Sequence, residues 1–210
     1  NLRCFVSILK IDDLELYFEE DGFHPEKVNS PPYPMVVLRC RKKGILAAIK
    51  FRHRSGIWHV DNVRAIDGYG PTVYKVLMQL SGCRGIAPCY KASNQQKEFI
   101  VKKSKRIWEN FYNHEGINVE PIENGYKENY LNSKYSIKVK YFNLEPLLNS
   151  FEANIEKEFS KVCLATRIKR FFLKPEDIDK MKVEFRKLYL RNFHEEVTAF
   201  LKPSVEVHAK

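Results

Sequence analysis

The chain has 210 residues, of which 44% are hydrophobic, 30% charged and 13% aromatic. That composition supports one sizeable core and excludes both a disordered chain and a stapled mini-protein. The net charge is +10, no run reaches the roughly 18 apolar residues of a membrane span, and the five cysteines form no Cys-x-x-Cys pair, so the expectation is a soluble, cytoplasmic protein with reduced thiols, no metal site and no membrane contact.

The charge is uneven. Residues 1–37 carry −4, residues 38–142 carry +12 and residues 143–210 carry +2. The middle segment is where an anion is attracted, whether nucleic acid, a phosphorylated cofactor or an acidic partner.

The first 30 residues read as a short strand followed by an acidic amphipathic piece from Asp12 to Asp21. The prolines of Asn29-Ser30-Pro31-Pro32-Tyr33-Pro34 break the chain. Met35-Val36-Val37-Leu38-Arg39, Ile45 to Phe51 and Ile57 to Arg64 are β-prone runs joined by Arg41-Lys42-Lys43-Gly44 and His53-Arg54-Ser55-Gly56. Short turns between such runs predict a three-stranded antiparallel meander.

The period changes at Pro71. Val73, Val76, Leu77 and Leu80 have helical spacing, and proline suits a first helical turn. Gly85 to Tyr90 predicts a short strand, about Asn94 to His114 a second helix, and 117–122 and 135–142 late strands. From Leu144, two apolar stripes predict a C-terminal α-helical hairpin, the second helix opened by Pro175-Glu176-Asp177. Between them Thr166 to Phe172 reads as a basic, aromatic connector. The predicted organisation is an α/β domain over 1–142 and a helical extension over 143–210, free to pack on the sheet or to mediate assembly.

One segment points to chemistry. Val60 to Ala65 is a strand, Ile66-Asp67-Gly68-Tyr69-Gly70 a glycine-bearing turn, and Pro71 begins a helix. Amides at a helix start are unpaired and sit at the positive end of the dipole, and glycine lets a phosphate approach the backbone. The spacing is that of neither a Walker loop nor a Rossmann fingerprint. On the strand, alternation places His59 and Asp61 on one face and Trp58, Val60 and Asn62 on the other. His59 titrates where a general base must, and Asp61 can orient it or act through water. Cys89, ending the short strand, is a weaker nucleophile candidate. The basic run of Lys102, Lys103, Lys105 and Arg106 reads as a solvated face that phosphate contacts would also suit.

In this order of elements the chain resembles the GNAT acyltransferase superfamily. Gly68-Tyr69-Gly70-Pro71-x-x-Tyr74, Ser104-x-x-x-Trp108-x-x-x-Tyr112 and Asn129-Tyr130-Leu131-Asn132-Ser133 are similar, more narrowly, to acetyltransferase-like proteins of tailed bacteriophages. The likeness covers about residues 33–142. It implies an α+β fold with a mixed sheet, an antiparallel meander plus a parallel splayed pair, flanked by helices. It implies acetyl-CoA as cofactor, bound by Val63 on the first splayed strand (Val60 to Val63, the second being Gly85 to Cys89) and, at its diphosphate, by Asp67, Gly68, Tyr69 and Gly70 within the Ile66–Gly70 turn. It also implies acetyl transfer to an amine, with His59 or Asp61 assisting deprotonation. Trp108 stands where the superfamily usually has a tyrosine acid, and an indole cannot donate as an acid, so Tyr112, one turn on, is the substitute. Ala65 replaces a usual basic residue, with Arg64 one position early and so on the other face. Host cytoplasm or virion is the implied location. Two readings remain beside it: a catalytically inactive phage structural or internal virion protein, whose residues 143–210 serve assembly, and a regulator binding nucleic acid through the basic middle.

Overall fold

The computed structural model describes residues 13–20, 33–66, 68–89, 102–169 and 174–202. Strands β1 (Leu14–Glu19), β2 (Met35–Cys40), β3 (Gly44–Arg54), β4 (Ile57–Ala65), β5 (Ile86–Pro88), β6 (Ile117–Pro121) and β7 (Ser133–Ile137) form one sheet in the order β1-β2-β3-β4-β5-β7-β6. Every neighbouring pair is antiparallel except β4 and β5. Parallel neighbours need a crossover rather than a hairpin, and helix α1 (Gly70–Ser81) lies on that crossover. Helix α2 (Lys102–Tyr112) precedes β6, and α3 (Glu145–Lys169) and α4 (Pro175–Leu201) end the described chain. The fold is a mixed α+β arrangement with helices on both faces of the sheet.

Coverage of both faces is written in β2, where Met35, Val36, Val37 and Leu38 are all buried without alternation. Val36, Leu38 and Cys40 join the core that includes Val73, Tyr74 and Leu77 of α1 and Trp108 and Phe111 of α2. Met35 and Val37 join a second core with Phe151 and Ile155 of α3 and Phe193, Val197 and Leu201 of α4. The C-terminal helices therefore pack on the sheet and complete its second face.

Three segments differ from their sequence reading. The acidic stretch 12–21 contains strand β1, the outer neighbour of β2 among the described residues. Its Glu15 is fully buried and accepts from Arg41 Nε at 2.6 Å. An inward charge of this kind suits a sheet edge. The last strand is Ser133–Ile137 rather than 135–142. Alternation continues through Val139 and Tyr141, but β6 offers partners only as far as Ile117, opposite Ile137, and Val139 is 68% exposed. Helix α3 also runs through Thr166 to Lys169, which the connector reading placed between helices. The N-terminal part of the predicted second helix, through residue 101, lies outside the described residues.

Candidate functional site

The polar residues singled out in the sequence converge where β4 and β5 part. The two strands pair at Trp58–Ile86, His59–Ala87 and Val60–Pro88. Beyond that, β4 continues to Ala65, paired with β3 on its other edge. Among the described residues no strand lies against the β5-side edge of Asp61 to Ala65.

A bulge sits at the parting point. Lys50 pairs with Asn62 and Phe51 with Val60, so Asp61 is an extra residue on β4. A bulge resets which face each later side chain takes. Trp58 and Val60 lie in the α1-side core and Val63 and Ala65 pack against that same core. Asn62 and Arg64 turn the other way, to the carbonyls ending α4. The expected grouping of Asn62 with Trp58 and Val60 is thereby corrected: simple alternation fails at the inserted residue.

His59, Asp61 and Cys89 come together here. The His59 ring is buried, and its Nδ1 lies 3.0 Å from the Pro88 carbonyl oxygen. A carbonyl only accepts, so Nδ1 carries the proton and Nε2 keeps a lone pair. Burial, with a smaller effect of Arg54, holds the imidazole below its ordinary pKa. Asp61 Oδ2 accepts from Arg52 at 3.0 Å, and the Cys89 thiol donates to Asp61 Oδ1 at 3.8 Å. Burial, then the Asp61 charge, pushes that thiol up, the wrong direction for a nucleophile.

Two residues passed over in the sequence shape the same point. Asn124, fully buried, donates from Nδ2 to Pro88 O at 2.9 Å and to Leu131 O at 3.2 Å. Tyr126 OH donates to Cys89 O at 2.6 Å. Together they tie the β6–β7 connection to the end of β5. No local pattern marks them, because their role depends on a strand more than 30 residues away.

The glycine turn leads from the free edge of β4 into α1. Gly68 has φ 90°, a left-handed conformation that a side chain would strain. Ile66 N donates to Leu46 O, Tyr69 N donates to Ile66 O, and Pro71 has no N–H. The first bond of helical spacing is Val73 N to Tyr69 O at 3.0 Å, so the amides of Gly70 and Thr72 have no i−4 partner. Helix α1 has neither a side-chain cap nor an acid in its first turn, so its positive end is uncompensated from within. Asp67 lies outside the described residues.

The remaining motif residues are apart from this point. Trp108 is 1% exposed, edge-on to Tyr74 at 5.0 Å, and Ser104 bonds the Tyr74 hydroxyl. The Tyr74, Ser104 and Trp108 positions thus hold α1 against α2. Tyr112 ends α2, which returns to β6 beside Ile137. Because Tyr135 faces Ile86 in the antiparallel β5–β7 pair, this is the start of β5, whereas the strands part beyond its end. No hydrogen bond or ring contact among the described residues joins Tyr112 to His59 or Asp61.

Comparison with known proteins finds no matching family model, no matching curated protein and no matching solved structure. Among the described residues no group of His, Cys, Asp or Glu could hold a metal ion, and no helix is long and apolar enough to cross a membrane.

Proposed function

We propose that this chain is a GNAT-like acyltransferase-fold protein that binds acetyl-CoA and transfers its acetyl group to an amine. One observation carries the reading: among the described residues, β4 has no partner strand on its β5-side edge from Asp61 to Ala65, and that edge leads toward the N-terminus of α1, which has no side-chain cap. An extended, amide-bearing arm suits an unpaired strand edge, and a diphosphate suits the Gly68, Gly70 and Thr72 amides. Both parts of the cofactor would be held by contiguous backbone.

When bound, acetyl-CoA supplies an acetyl thioester. His59 is the base, because among the described residues its Nε2 has no hydrogen-bond partner and burial keeps the ring neutral at physiological pH. His59 Nε2 would take the proton that the amine gives up as the acetyl group passes from sulfur to nitrogen. Asp61, held by Arg52, orients the polar end of the acceptor. Trp108 lies in the core and Tyr112 ends α2 away from this point, so neither would serve as an acid there and a leaving thiolate would be protonated from water.

Titration calorimetry with acetyl-CoA tests the binding step. Gly70→Ala is the informative variant. Among the described residues a Cβ there meets Ile107 Cδ1 at 3.5 Å, an ordinary contact, so folding is kept and a change in binding reports how closely the ligand approaches this backbone. Binding lost in Gly70→Ala but present in the parent supports the reading, and no binding to the parent at millimolar concentration ends it.

A further inference from the structure

One backbone oxygen anchors the proposed base. Strands β5 and β7 pair at Ile86–Tyr135, and two residues further along β5 the Pro88 carbonyl oxygen is taken by side chains instead. His59 Nδ1 reaches it at 3.0 Å and Asn124 Nδ2 at 2.9 Å. A carbonyl oxygen has two lone pairs, so it holds both donors at once. Because that oxygen can only accept, the ring proton of His59 sits on Nδ1. Free histidine prefers the opposite tautomer, so the arrangement depends on the oxygen being held in place.

The connection from β6 to β7 holds it. Asn124 is fully buried, and its Nδ2 also donates to Leu131 O at 3.2 Å. Only an NH2 group can face two carbonyls, so the side-chain amide has a single orientation. Its Oδ1 has no hydrogen-bond partner among the described residues, which leaves the two donor bonds as what fixes the group. The following carbonyl is held from the same loop, by Tyr126 OH to Cys89 O at 2.6 Å. Tyr126 is in turn fixed by Asn132, whose Oδ1 accepts from Tyr126 N at 3.0 Å and whose Nδ2 donates to Tyr126 O at 2.5 Å. One loop thus sets two successive carbonyls at the end of β5, and His59 uses the first.

We infer that Asn124 is a positioning residue for His59: by holding the Pro88 oxygen it keeps the imidazole proton on Nδ1 and the lone pair on Nε2. The inference rests on the acyltransferase reading for the role of His59 as base, whereas the tautomer is a property of the chain alone.

The test follows the His59 ring nitrogens by proton–nitrogen correlation NMR in the full chain without acetyl-CoA. The parent is expected to show the Nδ1–H tautomer, with that proton close enough to the Asn124 amide protons for cross-relaxation. An Nε2–H tautomer, or no such contact, overturns the inference before any variant is made. Asn124→Leu and Asn124→Ala both remove the donor, and in each the single Nδ1–H pattern should be lost. Tyr126→Phe loosens the same loop by one bond but spares the Asn124–Pro88 contact, so it should keep the pattern. A pattern unchanged in the Asn124 variants, or lost equally in Tyr126→Phe, overturns the inference, because a merely structural role would act in that way. In the transfer assay, kcat of Asn124→Leu should fall about tenfold with the KM for acetyl-CoA unchanged, and an undiminished kcat overturns the role in catalysis. An altered tautomer in a chain that binds no acetyl-CoA supports the positioning role while ending the transferase reading. An unaltered one overturns positioning even where acetyl-CoA binds, so the two failures are distinct.

Discussion

Arg64 leaves β4 on the α4 side and donates to the carbonyls of Phe200 and Lys202, with its guanidinium 5.4 Å from the Phe200 ring centre. Helix α4 has no basic residue in its last turn, so a strand residue distant in sequence caps it. Charge-assisted bonds of this kind contribute about 1.5–3 kcal/mol each in favourable settings. Arg64→Ala is expected to cost about 2 kcal/mol, read as a lower urea midpoint. Arg64→Lys should recover only part, because an ammonium lacks the planar fork. The sequence shows that Arg64 faces away from Ala65; what it meets there was not legible, since its partners lie 136 and 138 positions away.

His194 presents a second residue-scale case. Its Nε2 and the Tyr17 hydroxyl share a hydrogen bond at 3.0 Å, and burial raises the Tyr17 phenol so that it stays protonated. Burial, then the Lys50 charge, lowers the His194 imidazole to about 4. The folded state therefore disfavours the proton that the unfolded chain takes up near pH 6.5. The ring's contribution is full above about pH 6.5, falls as the pH drops toward 4 and levels off below, with solvent at the partly exposed ring reducing its size. Urea midpoints at pH 7.5 and 5.0 should differ less in His194→Gln than in the parent, and an equal difference refutes the assignment.

Among the elements, β5 is short and tightly placed. Gly85 enters it with φ 67°, and a Cβ there would lie 2.9 Å from Tyr135 O and 2.8 Å from Lys134 Cγ. The backbone oxygen cannot yield without disturbing the β5–β7 pair. Gly85→Ala is expected to destabilise the chain by about 2 kcal/mol or more, measured by thermal denaturation, whereas Gly70→Ala should fall within about 1 kcal/mol of the parent. The meander, α1, β5 and both C-terminal helices were legible because period and turn chemistry are local. Three features were not: the bulge at Asp61, the early end of β7 and the clamp of Asn124 and Tyr126 on β5. Each depends on where a partner strand runs, and a bulge leaves no mark in one strand read alone.

For the whole molecule, the second core determines what the C-terminal helices do. Phe151 is 1% exposed and sits 5.0 Å from both the Tyr17 and Phe193 ring centres. Phe151→Ala is expected to cost about 3–5 kcal/mol and to loosen both helices, seen as faster amide exchange in α3 and α4. Ending the chain at Phe142 would bare Met35, Val37, Ile45 and Ala48, now under those helices. A patch of that kind drives association, so the shortened chain should elute as aggregate in size exclusion.

The amino-acid sequence by itself determined the period of most elements, the basic middle, the glycine turn ahead of α1 and the inward stripe of Trp108 and Phe111. Those properties follow from side-chain spacing and backbone conformation within one or two turns of chain. Tertiary structure alone decided that β4 and β5 part just beyond Val60, that His59, Asp61 and Cys89 meet there while Tyr112 does not, and that Lys50, Arg52 and Arg54 share the face of His59. The reason is register: pairing between strands distant in sequence sets which side chains share a face, and one inserted residue at Asp61 changes the answer for everything after it.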